Sequence, residues 1–228
     1  MKFDNYTLTA RIFPAILCSA PFFVLHFFLL RPKLGEFWGE LLGFKIASDI
    51  TVTLVLLFTL TQLCRHISKT VFEERLFEGG RNLPTTSFLL HLNDHFSDEY
   101  TQRLHAKIAS DFRINLPTSE QEQDDVLNAR KLINEAIGLI RAKVRRGNLV
   151  GQHNAEYGFW RNLAGGSVIA LLLSILNSIF FLFLSYNLTA LSVSLALMVI
   201  YFVFLVFAKS LIISSGNNYA KVLLQEYL

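Results

Sequence analysis

Arg65-His66-Ile67-Ser68-Lys69 opens, and Tyr157-Gly158-Phe159-Trp160-Arg161-Asn162-Leu163 closes, a mostly polar stretch, residues 65–166, set between two pairs of long apolar segments. The whole chain is 52% hydrophobic and only 17% charged, too apolar in its long runs and too polar in its middle for one ordinary soluble domain. It reads as an all-α membrane protein: four transmembrane helices in two pairs, with a cytoplasmic helical domain between the second and the third. The divisions fall at 1–64 for the N-terminal helix pair, 65–166 for the cytoplasmic helical domain, 167–208 for the C-terminal pair and 209–228 for a cytoplasmic amphipathic tail. A formal charge of +3 is too small to imply a nucleic-acid partner, and the basic residues follow topology instead of gathering into one stripe. Cys18 and Cys64 lie in or at the end of apolar runs with no C-x-x-C or zinc-ligand spacing, so no structural disulfide is expected.

The first apolar run, 12–30, is long enough to cross a hydrocarbon core of ~30 Å at ~1.5 Å per helical residue. It is too long and too aromatic for a cleaved signal peptide. Pro14 and Pro21 lie inside it and are expected to kink it, with neighbouring helices satisfying the carbonyls that proline leaves without a donor. A connection at 31–46, anchored at the interface by Phe37 and Trp38, leads to a second span at 47–64. That span carries Asp49, within reach of Lys45, together with Thr59 and Gln62; these read first as interhelical hydrogen-bonding groups and second as a solute path. The third and fourth spans, 167–184 and 189–208, are joined by an uncharged turn. Ser167, Ser174, Ser178 and Ser185 share one helical face with Asn177 beside it, the pattern of a packing seam before that of a pore wall. In the tail, residues 219–228 are amphipathic, suited to lying along the membrane or docking on the insert.

Orientation follows from the basic residues, which concentrate in cytoplasmic loops near span ends. Fourteen of the 21 lie in 65–166, so the insert is placed in the cytoplasm and, with four spans, both termini as well. Arg31, Lys33 and Lys45 in the first hairpin run against this placement.

Within the insert, apolar residues at Ile67, Val71, Phe72, Leu76 and Phe77 extend the second span as a helix that stops at Gly79-Gly80. Asn82-Leu83-Pro84-Thr85-Thr86 is echoed by Asn115-Leu116-Pro117-Thr118-Ser119, a near-repeat that predicts two helix N-caps, with Thr118 and Gln121 forming a capping box. Thr85 and Thr118 are for the same reason candidate phosphate or signal contacts, although no glycine-rich loop or P-loop lysine accompanies them. His91 and His95 have the i, i+4 spacing of a metal pair on a helix within 86–112, but no third ligand is evident and an exposed helix surface is the first reading. Residues 119–146 predict one helix with an apolar face, acidic at its start and basic at Arg141, Lys143, Arg145 and Arg146. At the entry to the third span, Asn154, Glu156, Arg161 and Asn162 make a junction rich in directed polar groups, suited to coupling a state of the insert to the tilt of the span.

The Asn82-Leu83-Pro84-Thr85-Thr86, Leu116-Pro117-Thr118 and Tyr157-Gly158-Phe159-Trp160-Arg161-Asn162-Leu163 motifs together resemble those of a loosely defined group of uncharacterised bacterial membrane proteins with a cytoplasmic helical insert. The resemblance covers the insert and its junction with the third span. It implies a bacterial inner-membrane location but carries over no activity and no catalytic residues, and the build is similar to that of membrane components of anti-phage systems. Three functions compete. The first is an oligomeric sensor or effector whose insert binds a partner protein or small signal, whose spans alter membrane integrity, and which self-associates through the serine face. The second is a channel or transporter using Asp49, Thr59, Gln62 and the Ser174, Asn177, Ser178 stripe. The third, a metal hydrolase built on His91 and His95, ranks last, so no enzyme activity and no cofactor are expected.

Overall fold

The computed structural model of the chain describes residues 5–30, 42–144 and 148–228, without the side chains of 42–49 and 148. The side chains of Asp49 and its expected partner Lys45, the 31–41 part of the first connection with Phe37 and Trp38, and Arg145 and Arg146 therefore lie outside what is described. Among the described residues all regular structure is helical: α1 (Asn5–Leu30), α2 (Leu42–Ile67), α3 (Pro84–Ser87), α4 (Asp98–Phe112), α5 (Ser119–Asp124), α6 (Val126–Val144), α7 (Asn148–Phe183) and α8 (Leu188–Tyr227). Four helical stretches, Asn5–Leu30, Ile50–Leu76, Leu149–Phe183 and Leu188–Tyr227, are long and apolar enough to cross a membrane, the build of a multi-pass membrane protein. Contacts divide the chain into two compact units, Met1–Phe72 with Gly158–Lys209, and Glu73–Tyr157 with Ser210–Leu228.

In the first unit, α1 touches each of the other three apolar helices. Its two prolines explain how. Pro14 has no N–H for the Ala10 carbonyl one turn back, and Pro21 has none for Leu17. Asn162 Nδ2 of α7 donates to the Ala10 carbonyl at 2.6 Å, and the Tyr201 hydroxyl of α8 donates to the Leu17 carbonyl at 2.6 Å. The chain bends at Ser19 between them, where the Ser19 hydroxyl donates to the Ile16 carbonyl. Outward, the unit presents Val52, Val55, Phe58, Leu172, Leu176, Phe202 and Val206, the surface a helix bundle offers to lipid.

In the second unit, Ile133, Ile137 and Ile140 of α6 close over Leu104 and Ile108 of α4 and over Tyr219, Ala220, Leu223, Leu224 and Tyr227 at the end of α8. Of the two sequence-based options for the tail, docking is therefore the one observed. Tyr227 donates to Asp111 at 2.9 Å, Lys107 Nζ donates to the Leu228 carbonyl, and Lys143 pairs with Asp111 at 2.7 Å. That lysine, with the Tyr227 hydroxyl, holds the Asp111 carboxyl below its ordinary pKa.

Three helical expectations need correction. Residues 119–146 do not form one helix: Asp125 leaves helical geometry at φ −141, ψ 79, and its Oδ1 accepts from the Asn128 amide, so it ends α5 and caps α6. A short acid beside the backbone competes with continuation of the helix. Residues 86–112 are likewise broken, because Asn93 donates to the Phe88 and Leu90 carbonyls and accepts from the His95 amide, holding 88–97 in turns until Ser97 caps α4. The first of the two matched caps is also absent: α3 begins at Pro84 with no side-chain cap, and Thr85 is buried. The second stands, since Thr118 and Gln121 make the reciprocal bonds of a capping box. So does the stop at Gly79-Gly80, where φ is +68 and +88.

The turn region yields a pH prediction. His105 Nε2 faces the Leu89 carbonyl at 2.7 Å, and because a carbonyl only accepts, the neutral ring carries its proton there. Burial holds the imidazole below its ordinary pKa, and His91, with its ring 4.6 Å away, pushes in the same direction. The unfolded chain therefore takes up the proton first as pH falls through about 6.5, so stability present above that value is lost on acidification. Thermal midpoints at pH 7.5 and 5.5 should differ more for the native chain than for His105→Gln; equal differences would contradict this account.

Candidate functional site

Asn162 stands where three apolar helices meet. It is 2% exposed, and both ends of its amide are engaged: Nδ2 donates to Ala10 of α1, and Oδ1 accepts from the Ser68 hydroxyl, just beyond α2, at 2.9 Å. That single hydroxyl proton is shared with the Arg65 carbonyl, also at 2.9 Å, and Ser68 begins a π-helical stretch, Ser68–Glu73. Such wide turns occur often at functional sites.

Glycines set how closely the helices approach this amide. A Cβ on Gly158 would lie 2.8 Å from Ala10 Cβ. One on Gly165 would run into the Cys64 carbonyl and the Ser68 amide, and one on Gly166 into the Cys18 and Cys64 sulfurs. Positions 158, 162 and 165 share a face of α7, so this face is shaped by two glycines around one asparagine. Below it the thiols of Cys18 and Cys64 lie together among Leu163, Ala170 and Tyr201.

Glu156 lies exposed, 3.5 Å from His153, while Asn154 and Arg161 are half-buried. Asn154 and Glu156 belong to the second unit, Arg161 and Asn162 to the first. Neither threonine candidate offers an open anion site. The Thr85 hydroxyl accepts from Arg141 Nη2 at 3.1 Å, and Thr118 is engaged in its capping box.

The intramembrane candidates also separate. Thr59 and Gln62 are exposed on the outer face of α2, away from the buried serines. Ser174 and Ser178 donate back to the Ala170 and Ser174 carbonyls of their own helix, and Asn177 donates to the Pro21 carbonyl at 2.8 Å. Ser167, Ser174 and Ser178 are buried within the chain and Ser185 lies exposed in the turn, so the serine face cannot serve for self-association as the sequence reading expected. Ser174, Asn177 and Ser178 are committed to helix packing, and among the described residues Thr59 and Gln62 do not converge with them on a path.

His91 and His95 do not form a helical pair. Both lie in the turns after α3, where the His95 ring stacks on Phe88 at 3.9 Å and the His91 ring packs edge-on against His105. Among the described residues no group of three His, Cys, Asp or Glu is placed to hold a metal.

Sequence reasoning missed Ser68, Gly165 and Tyr201. The signals were present: two prolines in α1 require outside donors one turn back from each, and Gly158 and Gly165 bracket Asn162 at helical spacing. Comparison with protein-family models, with curated proteins and with solved structures returned no match.

Proposed function

We propose that the chain is a bacterial inner-membrane sensor or effector, an oligomer acting by binding and movement rather than as an enzyme. In this reading its helical insert and both termini are cytoplasmic, the insert binds a partner protein or small signal, and the spans respond by altering membrane integrity, as in anti-phage defence. The Asn162 network carries the reading. Both ends of its amide are satisfied in the arrangement observed, so displacing α7 along α1 would strand the Asn162 amide and the Ala10 carbonyl together, while Ser68 keeps the Arg65 carbonyl. A bundle locked this way moves between discrete positions and not by gradual drift, the property a signal-driven switch uses. The lock sits at the start of the third span, within a few residues of the polar insert, and beside a π-helical stretch.

Native mass spectrometry of the purified detergent complex, paired with membrane-potential measurements in expressing cells, tests this. A homo-oligomer or a stoichiometric partner protein is expected, with potential lost on activation. A ligand-free monomer whose expression leaves the potential unchanged overturns it.

A further inference from the structure

We propose that a cation-lined cleft in the second unit, between the turn at 78–81 and the side of α6, binds a phosphomonoester. Leu127, Arg130, Lys131 and Asn134 lie at i, i+3, i+4 and i+7 on one face of α6, and Gly79, Gly80 and Arg81 form the opposite wall. The cleft holds about 130 Å³. That is several times the ~30 Å³ share of a water molecule, yet below the ~300 Å³ at which sites for whole drug-sized ligands begin. It suits a charged head group and not an entire nucleotide.

The lining explains the charge preference. Arg81, Arg130 and Lys131 contribute three positive charges, and no carboxylate is among the lining residues. Lys131 makes no ion pair among the described residues, although Glu135 stands one turn along the same helix. Glu122, whose charge Arg130 feels, is buried and accepts from the His91 amide. Arg130 Nη1 donates to the Arg81 carbonyl at 3.2 Å and to the Ser87 hydroxyl at 3.4 Å, which fixes the turn against the helix. A guanidinium has five N–H donors, so donors beyond those two bonds remain for a ligand.

Backbone geometry holds the cleft open. Glu78, Gly79 and Gly80 all have positive φ, a sharp reversal that sets Arg81 across from Lys131. A phosphomonoester, dianionic above its second pKa of about 6, matches two guanidinium forks and an ammonium better than a singly charged carboxylate does. Both a soluble phosphorylated compound and a lipid head group such as phosphatidic acid carry this chemistry. The site rests on its own lining, independent of whether the Asn162 network relays a signal.

The test uses the full chain. Purified protein is titrated with inorganic phosphate at pH 7.5 by calorimetry, and in parallel is placed in nanodiscs of phosphatidylcholine with and without phosphatidic acid, with retained lipid read by native mass spectrometry. Saturable phosphate binding, at about 1 mM or tighter, supports the site with a soluble source. Phosphatidic acid retention without it supports the site with a lipid source. Arg81→Glu and Lys131→Glu should each weaken the observed binding at least ~10-fold, whereas Lys221→Glu, the same charge change at an exposed position of α8, should not. Arg81 and Lys131 are exposed, and if either reversal fails to fold, Lys131→Gln serves in its place. Binding of neither probe, or an equal loss in Lys221→Glu, overturns the proposal.

Discussion

Gly165→Ala is expected to lower the thermal midpoint of the purified protein sharply, although it adds a single methyl group. The new carbon would meet the Cys64 carbonyl oxygen and come within 2.5 Å of the Ser68 amide nitrogen and 2.8 Å of Ser68 Cβ. The first two are backbone atoms of the facing helix, so no side-chain rotation relieves the overlap. The helices must separate, and their separation loosens the Asn162 bonds as well. Overpacking of this kind costs about 1–3 kcal/mol, with more where the obstacle is rigid. Gly138→Ala supplies the matched control. It makes the same chemical change on the exposed face of α6, where nothing lies within 4 Å, and it should stabilise by about 0.5–1 kcal/mol through helix propensity alone. Scanning fluorimetry of the two variants should move the midpoint in opposite directions. Equal, small shifts would mean that α7 and α2 do not pack at this separation.

The second large effect is expected at Asn162. In Asn162→Leu the side chain keeps roughly its size and loses both polar ends, leaving the Ala10 carbonyl buried opposite a proline that cannot serve it. An orphaned buried acceptor costs about 1–3 kcal/mol. Measured hydrogen bonds between membrane helices fall toward the low end, so about 2 kcal/mol is expected for the pair of bonds. The cause can be isolated, because Pro14→Ala restores an N–H one turn ahead of Ala10. Asn162→Leu should therefore cost less in the Pro14→Ala background than in the native one, with a coupling of about 1 kcal/mol. A double-mutant cycle that returns zero coupling would sink the assignment of Asn162 to that carbonyl.

What could be read without coordinates was whatever local chemistry decides. The four apolar helices, the stop at Gly79-Gly80 and the Thr118 capping box follow from hydropathy, backbone freedom and hydrogen-bond reach within one turn of chain. The errors arose where two local preferences compete or where a partner is distant in sequence. Asp125 and Asn93 sit inside apolar patterns that favour helix, and each instead turns its short polar side chain onto the backbone. Thr85 has the credentials of a cap, but Arg141 claims its hydroxyl from 56 residues away. The candidate junction was legible as a neighbourhood, since Asn162 was among the residues chosen for it. Its mechanism was not, because the decisive partners, Ala10 and Ser68, lie 152 and 94 residues distant. Of the serine face read from sequence, Ser167, Ser174 and Ser178 are buried against the chain's own helices while Ser185 lies beyond the helix end, a division that required the structure.

The core of the second unit closes only with the end of α8, through Tyr219, Leu223, Leu224 and Tyr227. In a cell this sets a timetable. When residue 157 has been synthesised, Ile133, Ile137 and Ile140 are present but the surface that covers them is not, and it arrives only after the whole of the last apolar helix has been made. At ~5–20 residues per second the wait is on the order of several seconds. During that interval the half-built bundle exposes an apolar flank, the kind of surface that makes an incomplete domain prone to aggregation. Recombinant work inherits the same rule: a fragment spanning 73–157 alone should aggregate, and grafting 210–228 onto it is the route to a soluble version.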